Sequence, residues 1–261
     1  MTIRIQTIAV LLASGLAASA ATPEASYDTA KRAWSSKDFQ TAFTNFEAAL
    51  TADPDNIQYG SEYRQAVIEN AKKAHPKEGA PADFDRLLKF FETLTAANPK
   101  ATNAWLNYGF SYVDKIAASG SITQVLLANS ALGLFTKSIE SKPTWIALYT
   151  RGNSYLFWPK IFGRAQLGVN DLEAAYKMQQ GQPLKSFYVR VYISLGDGYW
   201  KVDNIEKAKA IWQEGAKRFP DSKPLKDRLS REGDELKNYI DDQLDPNKRV
   251  DTDLHEIWAA K

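Results

Sequence analysis

The sequence predicts an all-α chain, a stack of helical hairpins closed by a capping helix. Two observations predict it. Small residues recur beside large ones at helical spacing: Ala42 with Phe46, Gly109 with Tyr112, Ala131 with Phe135, Gly196 with Tyr199 and Ala208 with Trp212. Such alternation lets two helices approach at the small side chain while the large one fills the seam beside it. Proline also recurs at positions 54, 99, 143 and 220, at the end of an apolar-periodic run each time. Its missing amide hydrogen and its ring stop a helix there.

The elements follow in order. Arg4 precedes an apolar run, IQTIAVLLASGLAASA, that closes on the small residues Ala18-Ser19-Ala20. This pattern predicts a signal peptide over residues 1–21 and an exported, periplasmic or secreted protein. The run falls short of the roughly 20 apolar residues that span a bilayer; an N-terminal anchor is the alternative. With the hairpins bounded as the repeat resemblance described below implies, the first covers 23–56. The second, 57–101, pairs a degenerate helix around EYRQAVIENAKKAH with DFDRLLKFFETLTAANP. The third, 102–144, places a helix over 104–117, a long turn ASGSITQ, and a helix from Leu126 to Ser141. The fourth, 145–181, runs from Ile146 to Phe157, through an enlarged turn at Pro159 and Gly163, into RAQLGVNDLEAAYKM. The fifth covers 189–222. Residues 223–261 read as a capping helix and tail, with Leu225, Leu229, Leu236, Ile240 and Leu244 near a helical period until Asp245-Pro246 breaks it. DTDLHEIWAAK is expected to form a short terminal helix.

In ATNAWLNYGFSYVDK, Trp105, Tyr108-Gly109 and Tyr112 give the spacing W-x2-(large)-G-x2-Y; Tyr192, Leu195-Gly196, Tyr199, Ala208, Trp212 and Pro220 extend it through the fifth hairpin. These spacings resemble the tetratricopeptide repeat (TPR), a unit of about 34 residues. The resemblance implies a right-handed superhelix of about five repeats. Against that period, the second, third and fourth repeats carry turns longer by about eleven, ten and four residues. It also implies a concave groove lined by the first helix of each repeat. Carried onto this sequence, the groove positions are Lys31, Trp34, Asn103, Leu106, Phe110, Tyr149, Asn153, Arg190, Ile193, Asp197, Trp200 and Lys201. Members that clamp a peptide carboxylate pair a Lys with an Asn. Here Tyr27 and Lys31 stand at those positions of the first repeat, and Asn107 alone matches, so a mixed aromatic and polar groove is the better description. Seam packing competes with ligand contact for every aromatic; Trp105, Trp145 and Trp212 are assigned to packing. In the fourth-repeat turn, Trp158, Ile161 and Phe162 are expected to tuck against the repeat edge. The alternative there is an exposed docking patch of Trp158, Lys160, Phe162 and Arg164.

Composition removes several function classes. Lysine and arginine number 33 against 31 acids, so charge offers no case for a nucleic-acid partner. The absence of cysteine excludes disulfides and thiolate metal sites. His75 and His255 have no partners at metal-ligand spacing, no nucleophile elbow or phosphate cradle is present, and adjacent acids such as Asp241-Asp242 point apart on a helix. No cofactor, metal or catalytic residue is therefore expected. The reading is a non-catalytic exported TPR scaffold that docks an unidentified protein or peptide, as in assembly of an envelope or redox complex. The alternative is a small-ligand-binding accessory of a periplasmic transport system. After removal of the signal no membrane span is expected.

Overall fold

The structure is a computed structural model that describes residues 22–74, 81–117, 119–246, 248 and 251–259. The expected signal segment and His75 lie outside the described residues. Thirteen α-helices occur among the described residues: α1 (Pro23–Ser35), α2 (Phe39–Ala52), α3 (Ile57–Ala74), α4 (Pro81–Ala97), α5 (Thr102–Ile116), α6 (Ser121–Ser141), α7 (Trp145–Leu156), α8 (Ala165–Gln179), α9 (Val189–Lys201), α10 (Ile205–Arg218), α11 (Lys223–Leu229), α12 (Gly233–Gln243) and α13 (His255–Ala259). The first ten form five hairpins, and each hairpin packs on the next.

Local chemistry sets the boundaries. Helices α2, α4, α6 and α10 each end two residues before their proline. Helix α8 has no such proline; Gly181, at φ 73° in the left-handed region, turns the chain away instead. The tight turns of the first and fifth hairpins share one design. Lys37 and Asp203 adopt φ values of 65° and 63°, and the residues after them, Asp38 and Asn204, cap α2 and α10 through the amides of Thr41 and Lys207.

The small residues work by close approach. A Cβ on Gly196 would stand 2.0 Å from Trp212 Nε1, and one on Gly109 would stand 2.4 Å from Phe135. Three apolar clusters result. One spans α1 to α5, a second runs from α7 through α12, and a third lies between α5, α6 and the C-terminal segment.

Three boundaries differ from the sequence reading. Helix α3 begins at Ile57 and is a full helix of 18 residues. The second half of the long third-repeat turn, Ser121 to Gln124, is helical: Gly120 is the N-cap of α6, and its 21 residues contain no proline to stop them. The extra length of this repeat is therefore an overhanging helix. The capping region is two helices, because Gly233 at φ 50° turns the chain between α11 and α12. That turn lets Leu236 and Ile240 join Leu225 in the cluster around Trp212.

Candidate binding groove

Arg64 organises the groove. It lies in α3 among apolar neighbours, and its side chain is 0% exposed. A guanidinium this deep must spend its donors on partners. Nη1 forms an ion pair with Asp114 of α5 at 2.8 Å, Nε donates to Asn107 Oδ1 at 3.0 Å, and Nη2 donates to the carbonyl of Thr252 at 2.8 Å. The guanidinium also stands 4.7 Å from the Phe110 ring centre, a favourable cation–π distance.

Thr252 belongs to the C-terminal segment, which returns along the groove. Its hydroxyl donates to the second oxygen of Asp114, and the Leu254 amide donates to Ser61 Oγ. Leu254 is buried against the cluster of Phe110, Ala131 and Phe135, and Ile257 and Trp258 pack onto the same cluster. Helix α13 lies against α3 and against the 3-10 turn Ser186–Tyr188. At its start, Arg190 bonds Glu256 at 3.0 Å. The segment thus occupies the groove from α3 to the beginning of α9.

Six of the twelve sequence-derived groove residues line two concavities. Lys31 and Trp34 line a depression of about 350 Å³ together with Asp253, His255 and Trp258. Lys31 pairs with Glu62 at 2.6 Å, and Trp34 Nε1 donates to Glu69 at 2.8 Å. Lys37 also bonds Glu69, and these bonds hold its carboxyl below the usual carboxylate range. Phe110, Tyr149, Asn153 and Arg190 line a larger cavity. Burial pushes the Tyr149 phenol up, and Asn153 Oδ1 accepts from Ser194.

The remaining positions are structural. Asn103 anchors the start of α5, its amide and side chain donating to Asp55. Leu106 is core. Asn107, the clamp-like residue, is committed to Arg64 and the Asn103 carbonyl. Asp197 is buried and accepts both Nε and Nη2 of Arg228 at 2.6 Å, stapling α11 to α9. Ile193 and Trp200 pack in the α7–α12 cluster, and Lys201 donates to the Leu156 carbonyl at the end of α7. Of the aromatics read as packing, Trp212 is fully buried. Trp145 stacks on Tyr149 and also forms part of the cavity wall.

The larger cavity, about 1310 Å³, opens between the overhanging half of α6 and the end of α7. The C-terminal segment covers one side; Val125, Leu132, Ile146, Phe157 and Phe162 supply apolar wall. Its outer rim is the fourth-repeat turn. There Arg164 lies 3.7 Å from the Trp158 ring centre, Phe162 meets Trp158 edge-on, and Lys160 pairs with Asp203 at 2.6 Å. The expected tucking of this turn is only partial. Ile161 is 89% exposed and Phe162 59%, because Pro159 and Gly163 confine the turn to three 3-10 residues that cannot all face inward. Ile122 and Leu126 on α6 are exposed as well.

Neither Arg64 nor the segment 251–259 was among the sequence-derived groove residues. The available signals were a lone arginine inside YRQAVI and the i, i+3, i+4 spacing of Leu254, Ile257 and Trp258.

No protein-family model matches the sequence, and no curated protein does. Among solved structures, a thermophilic TPR protein from Thermus thermophilus superposes with a TM-score of 0.51 at 14% identity, covering 80% of this chain and 97% of that one. This chain has the TPR fold. A MamA protein is similar at a TM-score of 0.49 and 13% identity, over 81% of this chain and 96% of that one. In TPR terms, α1, α3, α5, α7 and α9 are the first helices of the five repeats, and α11 with α12 forms the cap. Among the described residues no helix is long and apolar enough to cross a membrane, and no group of three or more potential ligands could hold a metal ion.

Proposed function

We propose that this TPR chain is a non-catalytic scaffold that docks a protein or peptide along its concave groove. One observation carries the reading: the groove already holds a stretch of polypeptide, gripped partly through its backbone, by Arg64 on the Thr252 carbonyl and Ser61 on the Leu254 amide. Main-chain recognition with pockets for alternate side chains is a general way to hold an extended peptide. Of the cations of the groove, Arg190 pairs with Glu256 of this stretch, and Arg64 and Lys31 are paired with Asp114 and Glu62 of the walls. The fold similarity supports the reading by analogy. With the signal-like pattern of residues 1–21, the reading extends to an exported, periplasmic scaffold that assists assembly of an envelope or redox complex. A photo-reactive residue placed at Asn153 in the native host is expected to cross-link to a discrete partner, and one placed at exposed Gln213 on α10 is not. Equal labelling from both positions, or none from Asn153, would sink the scaffold reading.

A second reading is favoured by the cavity itself. A volume of about 1310 Å³ with aromatic and aliphatic walls exceeds the roughly 300–1,000 Å³ of common small-ligand sites. It suits carriage of a long apolar molecule admitted past Val125 and Phe162. Native mass spectrometry of the purified protein is expected to show a bound apolar molecule that Val125→Asp removes. An unliganded mass that does not shift with added fatty acid or lipid would discard this reading.

A further inference from the structure

The manner in which the chain fills its own groove says what kind of partner the groove accepts. Residues 251–254 contribute a hydroxyl, two carboxylates and a leucine; α13 adds an acid, an isoleucine and a tryptophan. The groove meets the segment at three residues. Asp114 and Arg64 receive Thr252, the Phe110 cluster receives Leu254, and Arg190 receives Glu256. Lys31 and Lys72 line the depression that contains Asp253 and Trp258. Glu256 of the segment thus pairs with a wall cation, Lys31 and Lys72 share the depression around Asp253 with Glu62 and Glu69, and the apolar side chains of the segment face an aromatic and aliphatic floor. Thr252 and Leu254 are each 6% exposed, so the segment is seated in the groove rather than laid over it.

We propose that residues 251–259 are an intramolecular occupant of the groove, and that the partner docks by displacing them with a segment of the same chemistry. That segment carries a hydroxyl two residues before a leucine and continues into a helical turn bearing an acid for Arg190 and a large apolar pair. The proposal rests on the scaffold reading and gives it a partner class and a means of control. Residues 245–250 tether the occupant to α12, and a short tether supplies an effective concentration of order millimolar. A free segment that binds the open groove with micromolar affinity therefore binds the native chain roughly 1,000-fold more weakly. Only a partner that is locally concentrated, or that adds contacts at the cavity rim, displaces the occupant.

The probe is a fluorescent peptide with the sequence of residues 249–261, titrated by anisotropy. The full chain carrying Leu254→Asp and Trp258→Ala, whose groove walls are untouched, is expected to bind it at least 100-fold more tightly than the native chain. A peptide carrying the same leucine-to-aspartate change is expected not to bind. If the substituted chain does not fold, a protease site placed within 245–250 and cut after folding leaves the native segment held without a tether; it should then exchange with the labelled peptide. Equal affinity for native and opened chains overturns the proposal, as does failure of the peptide to bind either one. Native dimers that exchange their C-terminal segments also overturn it. Peptide binding without a cross-linked partner from Asn153 would remove the scaffold reading while leaving the occupant in place. A cross-linked partner without peptide binding would do the reverse.

Discussion

Asp197→Ala is expected to lower the unfolding free energy by about 3–5 kcal/mol, the range for stranding one member of a buried ion pair. The side chains of Arg228 and Asp197 are 3% and 4% exposed, and both bonds between them are 2.6 Å long. Without the carboxylate, Arg228 keeps the Pro224 carbonyl and a long contact to Tyr239 as its remaining hydrogen bonds, which do not neutralise its charge. Urea denaturation measures the loss. The double substitution Asp197→Leu with Arg228→Met is expected to recover most of it, since apolar residues of similar size replace buried pairs at little cost. A loss below about 1 kcal/mol for Asp197→Ala would show that water reaches the pair and that Asp197 is available to the groove after all.

Trp212→Ala has a comparable expected cost, roughly 3–5 kcal/mol, the range for truncating a buried tryptophan. Trp212 is the largest fully buried side chain. It lies against the bare backbone of Gly196, in a cluster that joins the fourth repeat to the cap. The contact is testable from both sides. Gly196→Ala in the native background places a methyl 2.0 Å from the indole nitrogen and is expected to be strongly destabilising. In the Trp212→Ala background the same methyl enters the vacated space and costs much less. Thermal unfolding of the four proteins closes the cycle; additivity of the two changes would mean that the pair is not in contact.

Burial also explains which groove residues the sequence could and could not reveal. Phe110, Tyr149, Asn153 and Arg190 occupy positions that the repeat register fixes, and the structure brings them to one cavity. Asp197 and Asn103 occupy equivalent register positions and face other partners. Nothing in the local pattern of α9 indicates that Arg228, 31 residues later, reaches back to Asp197. Nothing in α5 signals that Asp55 caps its start. A register specifies the direction of a side chain, whereas its neighbour depends on where a distant segment ends up. The fourth-repeat turn shows the complementary error. Its aromatic content suggested burial, yet a three-residue 3-10 turn bounded by Pro159 and Gly163 cannot face all its side chains inward.

The sequence by itself determined the five hairpins, their terminating prolines and the small-to-large contacts at Gly109 and Gly196, because these depend on residues within one repeat or its immediate neighbour. Tertiary structure alone decided what the groove contains. The bonds from Arg64 to Thr252 and from Ser61 to Leu254 join positions 188 and 193 residues apart. No periodic signal spans such a distance. The return of the C-terminal segment follows from a buried guanidinium that needs acceptors and from a leucine, an isoleucine and a tryptophan that need an apolar floor. Both needs are met in the same place only once the superhelix has formed.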